Sequence, residues 1–135
     1  MPAAPARSPL AALLRRRRVC IALAALGAVF FAAARAGLIL WHCPLLAATG
    51  WPCPGCGLTR ATAELATGHV GAALARHAFA PIALLLGALV LLAAVLPAAP
   101  RERLAHAVER CDPRGWTSLA LLVALCAYWI ARGLA

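Results

Sequence analysis

The chain has no lysine, and only four of its side chains are carboxylates. Four acids leave little from which to assemble a catalytic set, and only Glu64 lies near the cysteine-rich stretch of residues 43–56. Charged residues make up 13% of the chain, about half the usual share for a soluble domain. A water-soluble chain of 135 residues needs polar surface to cover its core. This chain lacks that surface, so its apolar side chains are expected to face lipid. Aromatic residues are few and do not mix with the basic ones. That argues against nucleic acid as a partner, because a nucleic-acid binder places stacking side chains and polar loops among its arginines. There is no internal repeat and no second C-x-x-C.

What the chain has is apolar runs and arginine. Its net charge is +9, with 64% hydrophobic residues and a mean hydropathy of +0.87. Most of the arginines flank the runs instead of entering them. Residues 1–18 read as a basic tail, disordered or lying on the membrane surface, that ends in Arg15 to Arg18. The first run, residues 19–40, would make a helix of about 33 Å, enough for a hydrocarbon core of about 30 Å. Its one charge, Arg35, can snorkel from near the end, and Trp41 follows where an interfacial aromatic belongs. Ala32 to Ala34 resemble a signal cleavage site, but the run exceeds the usual apolar region of a signal peptide. The second run covers 79–97, with Pro81 either in a first turn or kinking a helix begun near Val70. The third covers 116–135, edged by Trp116, Tyr128 and Trp129.

The fold class expected is therefore all-α: an integral membrane protein of about three transmembrane helices. Arginine counts place the tail and the loop 98–115 on the cytoplasmic side. Residues 41–78 then face outward, in the inner membrane of a bacterium. Residues 101–110 read equally as a solvated connecting loop or as a short surface helix, with Leu104 and Val108 spaced i,i+4. Alanine and glycine in the spans permit close packing against a membrane-protein partner or a second copy.

Residues 42–78 differ from the rest. They hold three of the six cysteines, with prolines and glycines that force turns. A helix is expected from about Leu58 to Thr67, stopped by Gly68. Cys53-Pro54-Gly55-Cys56-Gly57 is a tight knuckle that fits three chemistries. Two thiolates on one turn supply half a tetrahedral metal site, with Cys43 as third ligand and His42, His69 or His77 as the fourth. Zinc is the first candidate, or another thiophilic metal. A dithiol ahead of a helix N-terminus, with Arg60 one turn on, suits thiol–disulfide exchange by Cys53 and Cys56. Cys43 could also close a structural disulfide with Cys53 or Cys56. Arg60 and Glu64 share a helix face at i,i+4, and His69 and His77 lie two turns apart. Cys20, Cys111 and Cys126 are isolated and read as small hydrophobes or plain thiols.

Cys43-Pro44, Thr49-Gly50, Cys53-Pro54-Gly55-Cys56-Gly57, Arg60-Ala61, Leu65 and Gly68 together resemble the bacterial membrane family called domain of unknown function 2752. The likeness spans roughly residues 42–80. The family pattern has Asp after the last glycine, where this chain has His69. It has Asn-Pro before the next apolar helix, where this chain has His77-Ala78. The resemblance implies a membrane location and no established activity. The function expected is a non-enzymatic membrane component whose knuckle is a structural or metal-stabilised cap that binds a partner. A membrane thiol–disulfide oxidoreductase and a metal sensor or transporter component are the alternatives.

Overall fold

The computed structural model describes residues 8–38, 42–112 and 114–134. Trp41, Arg7 and the first six residues of the basic tail lie outside them. The described residues form eight helices and no strand: α1 (Pro9–Arg15), α2 (Arg17–Arg35), α3 (Pro44–Thr49), α4 (Leu58–Ala66), α5 (Val70–Arg76), α6 (Ala80–Val95), α7 (Ala98–Cys111) and α8 (Trp116–Leu134).

Helices α2 and α8 are each 19 residues long and apolar enough to cross a bilayer. Helix α6 has 16 residues, about 24 Å of rise. It joins α5 through a break at which the axis turns by 103°, and the bent pair makes a third candidate span. Pro81 sits in the first turn of α6, where its missing N–H costs nothing. The longer helix from Val70 is therefore broken before the proline, at His77 to Phe79. Large apolar side chains such as Leu26, Val29, Leu85, Leu91, Leu122 and Val123 remain exposed. A soluble monomer rarely leaves so much contiguous apolar surface in water, and lipid accounts for it.

Helix α6 runs back along α2, so the molecule has two distinct ends. At one end Cys20 of α2 is buried with Leu14 of α1, Ala93 and Ala94 of α6, and Ala105 of α7. Part of the expected tail is thus a helix with a docked face. Ser8 caps α1 by accepting from the Ala11 N–H, and Pro9 occupies its first turn. Arg16 leaves the helical region and separates α1 from α2. Arg15 then reaches α7, donating to Glu102 at 2.8 Å and to Glu109 at 2.8 Å. Both carboxylates hold its guanidinium charge even more firmly than usual. Residues 98–111 are a continuous helix, with Leu104 and Val108 packed on the buried cluster.

Asp112 follows α7 and is almost fully buried. It accepts from the hydroxyl and the N–H of Thr117, fastening the first turn of α8. These bonds hold its carboxyl below the ordinary carboxylate range. The stabilisation is complete above the unfolded value of about 4 and is lost as pH falls through the lower folded value. Thermal melts at about pH 7 and pH 3 should therefore differ more for the native chain than for Asp112→Asn.

Candidate metal centre

At the other end, Cys43 stands in extended conformation immediately before α3, with Pro44 as that helix's first residue. The backbone N–H of Leu46 in the first turn points back at the Cys43 sulfur and lowers its thiol to about 7. Gly50 ends α3 at φ +74, and the chain turns back through Trp51 and Pro52 to the knuckle. There the Cys56 N–H donates to the Cys53 carbonyl at 3.0 Å. The Cys53 N–H donates to the Cys56 sulfur at 3.2 Å, and the two sulfurs are 3.1 Å apart. Burial, with both neighbouring thiols, pushes the Cys56 thiol up to about 12. Gly57 caps α4 at φ +86, a conformation that a side chain would strain, with the Arg76 stem 3.4 Å from where a Cβ would stand. Gly55 has ordinary φ and open space around it.

The sulfurs of Cys43, Cys53 and Cys56 all lie within 4.8 Å of one another. They line a cavity of about 580 Å³ together with His42, Arg60, Arg76, apolar side chains of α2 such as Phe30, and Leu38 just beyond it. His42 is thus the histidine that shares the cavity of the three thiols.

The other two histidines have different work. His69 lies on the far side of α4, where its Nδ1 is 3.1 Å from the Thr67 hydroxyl. It lines a separate cleft with Arg35, Glu64, Thr67 and Ala72. His77 is completely buried. Its Nε2 is 2.9 Å from the Pro54 carbonyl oxygen, and its Nδ1 is 3.2 Å from the Phe79 N–H. A carbonyl only accepts and an N–H only donates, so the ring must carry its proton on Nε2. Both ring nitrogens are then engaged, and His77 pins the knuckle instead of ligating within it. The expected partnership on α4 also differs. Glu64 pairs with Arg76 of α5 at 2.8 Å, and Arg60 faces the cavity. Both groups of the Glu64–Arg76 pair are partly exposed, so it adds little stability.

A second clasp comes from the far end of α8, and nothing local in the sequence announces it. Trp129 donates its indole N–H to the Pro52 carbonyl at 2.6 Å. Its ring meets Trp51 edge to face, with centroids 6.3 Å apart. Arg132 donates to the Cys56 carbonyl at 3.2 Å. The Tyr128 hydroxyl accepts from the Ala78 N–H, and its ring packs on His77 and Phe79. Gly133 lies so close to Trp51 that an added Cβ would stand 2.8 Å from the indole. Trp129→Phe keeps the ring and removes one donor. It should cost about 1 kcal/mol of stability and speed alkylation of Cys53 and Cys56.

These features define a helical membrane protein with a three-cysteine cluster between its two long apolar helices. Residues 43–91 match the family described as Protein of unknown function (DUF2752), which supports the resemblance seen in the cysteine and glycine pattern. The matched stretch runs from the first cysteine of the cluster into α6 and includes the knuckle, α4 and the His77 pin. Neither the curated proteins nor the solved structures contain a match to the chain.

Proposed function

We propose that the protein is a multi-pass component of a bacterial inner membrane whose knuckle binds one thiophilic metal ion, zinc first among the candidates. Cys43, Cys53 and Cys56 supply thiolates and His42 the fourth ligand. The observation that carries this reading is the convergence of three sulfurs from two separate stretches of chain within 4.8 Å. In a tetrahedral zinc site, sulfurs about 2.3 Å from the metal stand roughly 3.8 Å from each other. Adjustments of under about an ångström would bring the three into that geometry. A divalent ion with three thiolates and a neutral imidazole carries one net negative charge. Arg60, on the wall of the same cavity, is placed to offset it.

The metal would tie α3 to the start of α4 and so fix a cap at this end of the helices. The cap acts as a non-enzymatic docking point for a membrane partner or a second copy. By the arginine distribution, the α1–α7 end faces the cytoplasm and the cap faces outward. Elemental analysis and native mass spectrometry of reduced protein purified from membranes test the reading. About one metal equivalent per chain is expected, and it should be lost in Cys43→Ser. Full-length reduced protein that retains no metal and takes up none from solution would overturn it.

The 3.1 Å contact between the Cys53 and Cys56 sulfurs favours a second reading, a dithiol that exchanges with disulfides. One thiolate of the pair would attack a substrate disulfide and expel one substrate thiolate, and the other would resolve the mixed disulfide and release the second. Thiol trapping across a redox titration decides it. A pair that never interconverts at physiological potentials removes this reading.

A further inference from the structure

The arginine-rich end poses a separate problem of charge. Only three carboxylate side chains occur there, and the structure engages all of them internally. Glu102 and Glu109 both bind Arg15, and Asp112 binds Thr117. His106 also lies against Glu102 and Glu109. Arg16 to Arg18, Arg101, Arg103, Arg110 and Arg114 remain with no carboxylate partner. Glu64, the one other acid in the chain, is bound to Arg76 at the opposite end. Among the described residues, no carboxylate side chain is left for these seven arginines.

Their placement is fixed as well as crowded. The Arg15 staple and the buried cluster of Leu14, Cys20, Ala93, Ala94 and Ala105 lock α1 and α7 onto the ends of α2 and α6. Arg17 and Arg18 occupy the first turn of α2, where the helix dipole is positive and repels them. Arg17 lies across the end of α6, its Nε 3.4 Å from the Ala94 carbonyl. Arg114 stands just before α8. The arginines thus surround the points where the apolar helices begin and end, at the level of lipid headgroups.

We propose that the α1–α7 platform is a binding surface for anionic phospholipids, whose headgroup phosphates supply the missing negative charge while their chains lie along α2, α6 and α8. The inference is independent of the metal reading, because it concerns the other end of the molecule and different residues. It goes beyond orientation by arginine count. Orientation needs only the charge, whereas the stapled helices predict lipid that stays bound.

Delipidated full-length protein in detergent is titrated with phosphatidylglycerol or phosphatidylcholine and read by native mass spectrometry. Phosphatidylglycerol should be retained on the order of tenfold more strongly. Raising salt from about 50 to about 500 mM should bring the ratio towards one. The triple variant Arg101→Gln, Arg103→Gln, Arg110→Gln spares the Arg15 staple, and it should lose most of the preference. Arg35→Gln, at the far end of α2, should keep it. Salt dependence in the native chain keeps the test valid should the triple variant fail to fold. Equal retention of both lipids by the native chain overturns the proposal. So does a preference that survives both high salt and the triple variant. Displacement of the lipid by millimolar inorganic phosphate, or an acidic protein held at this face without any lipid preference, also overturns it.

Discussion

Replacing Cys53 or Cys56 with serine should weaken zinc binding by about a hundredfold or more. Apparent binding energies for complete structural zinc sites are about 10–16 kcal/mol at neutral pH. One ligand of four carries a share of about 3 kcal/mol, which corresponds to roughly a hundredfold. The measurement is competition against a chelator of known affinity, with reduced protein. The pH dependence has a definite sign. Cys56, pushed up to about 12, is a protonated thiol at neutral pH, so metal must displace its proton. Apparent affinity should therefore rise as pH rises, by about tenfold per unit for each thiol still protonated. Below about 7 the Cys43 thiol is protonated too, and the slope should steepen by one further unit. A pH-independent affinity between pH 6 and 9, on the order of three decades of proton concentration, would place the metal away from these thiols.

His77→Ala should be the most damaging single substitution outside the cysteines. It leaves the half-buried Pro54 carbonyl and Phe79 N–H without their His77 partner and opens a hole beside Tyr128 and Phe79. Half-buried polar groups left unpaired, together with a cavity of this kind, cost about 2–4 kcal/mol. Denaturant titration of the protein in mixed micelles measures the loss. Cys53 and Cys56 should also become faster to alkylate, because the Pro54 carbonyl is what His77 holds. The sulfurs themselves are unchanged, so saturating metal should restore part of the stability by mass action. His77 as a direct ligand would give the opposite result: loss of metal binding in the variant without restored stability at high metal.

The parts of the structure that the sequence foretells are the ones governed by neighbours in the chain. Two apolar runs became α2 and α8, and Gly68 stops α4 at φ +87 as a C-terminal glycine should. Cys53 and Cys56 had to be close because one turn holds both. Cys43 was harder, since only its nearness in sequence and its residue type pointed to the cluster. The pin and the clasps were not readable. His77 reaches Pro54 across 23 positions, and Trp129 reaches Pro52 across 77. No periodicity encodes such a pairing, and a histidine beside a cysteine motif looks like a ligand until both its nitrogens are accounted for. Arg60 and Glu64 mislead for a related reason. Helical spacing makes them neighbours, but α5 brings Arg76 to Glu64 in better geometry. The short helix α3 escaped because its turn signals, Pro44 and Gly50, also suit a loop.

The clasp from α8 carries a consequence for how the protein is made. Pro52 leaves the ribosome 77 residues before Trp129. At about 5–20 residues per second, that gap lasts roughly 4–15 seconds. Throughout it, Cys43, Cys53 and Cys56 have left the ribosome without the Trp129 and Arg132 contacts that later brace the knuckle. Helix α8, synthesised after the knuckle, closes a site whose thiols were made before it, so the newborn chain passes through an interval in which these three thiols are open to whatever metal, oxidant or chaperone meets them.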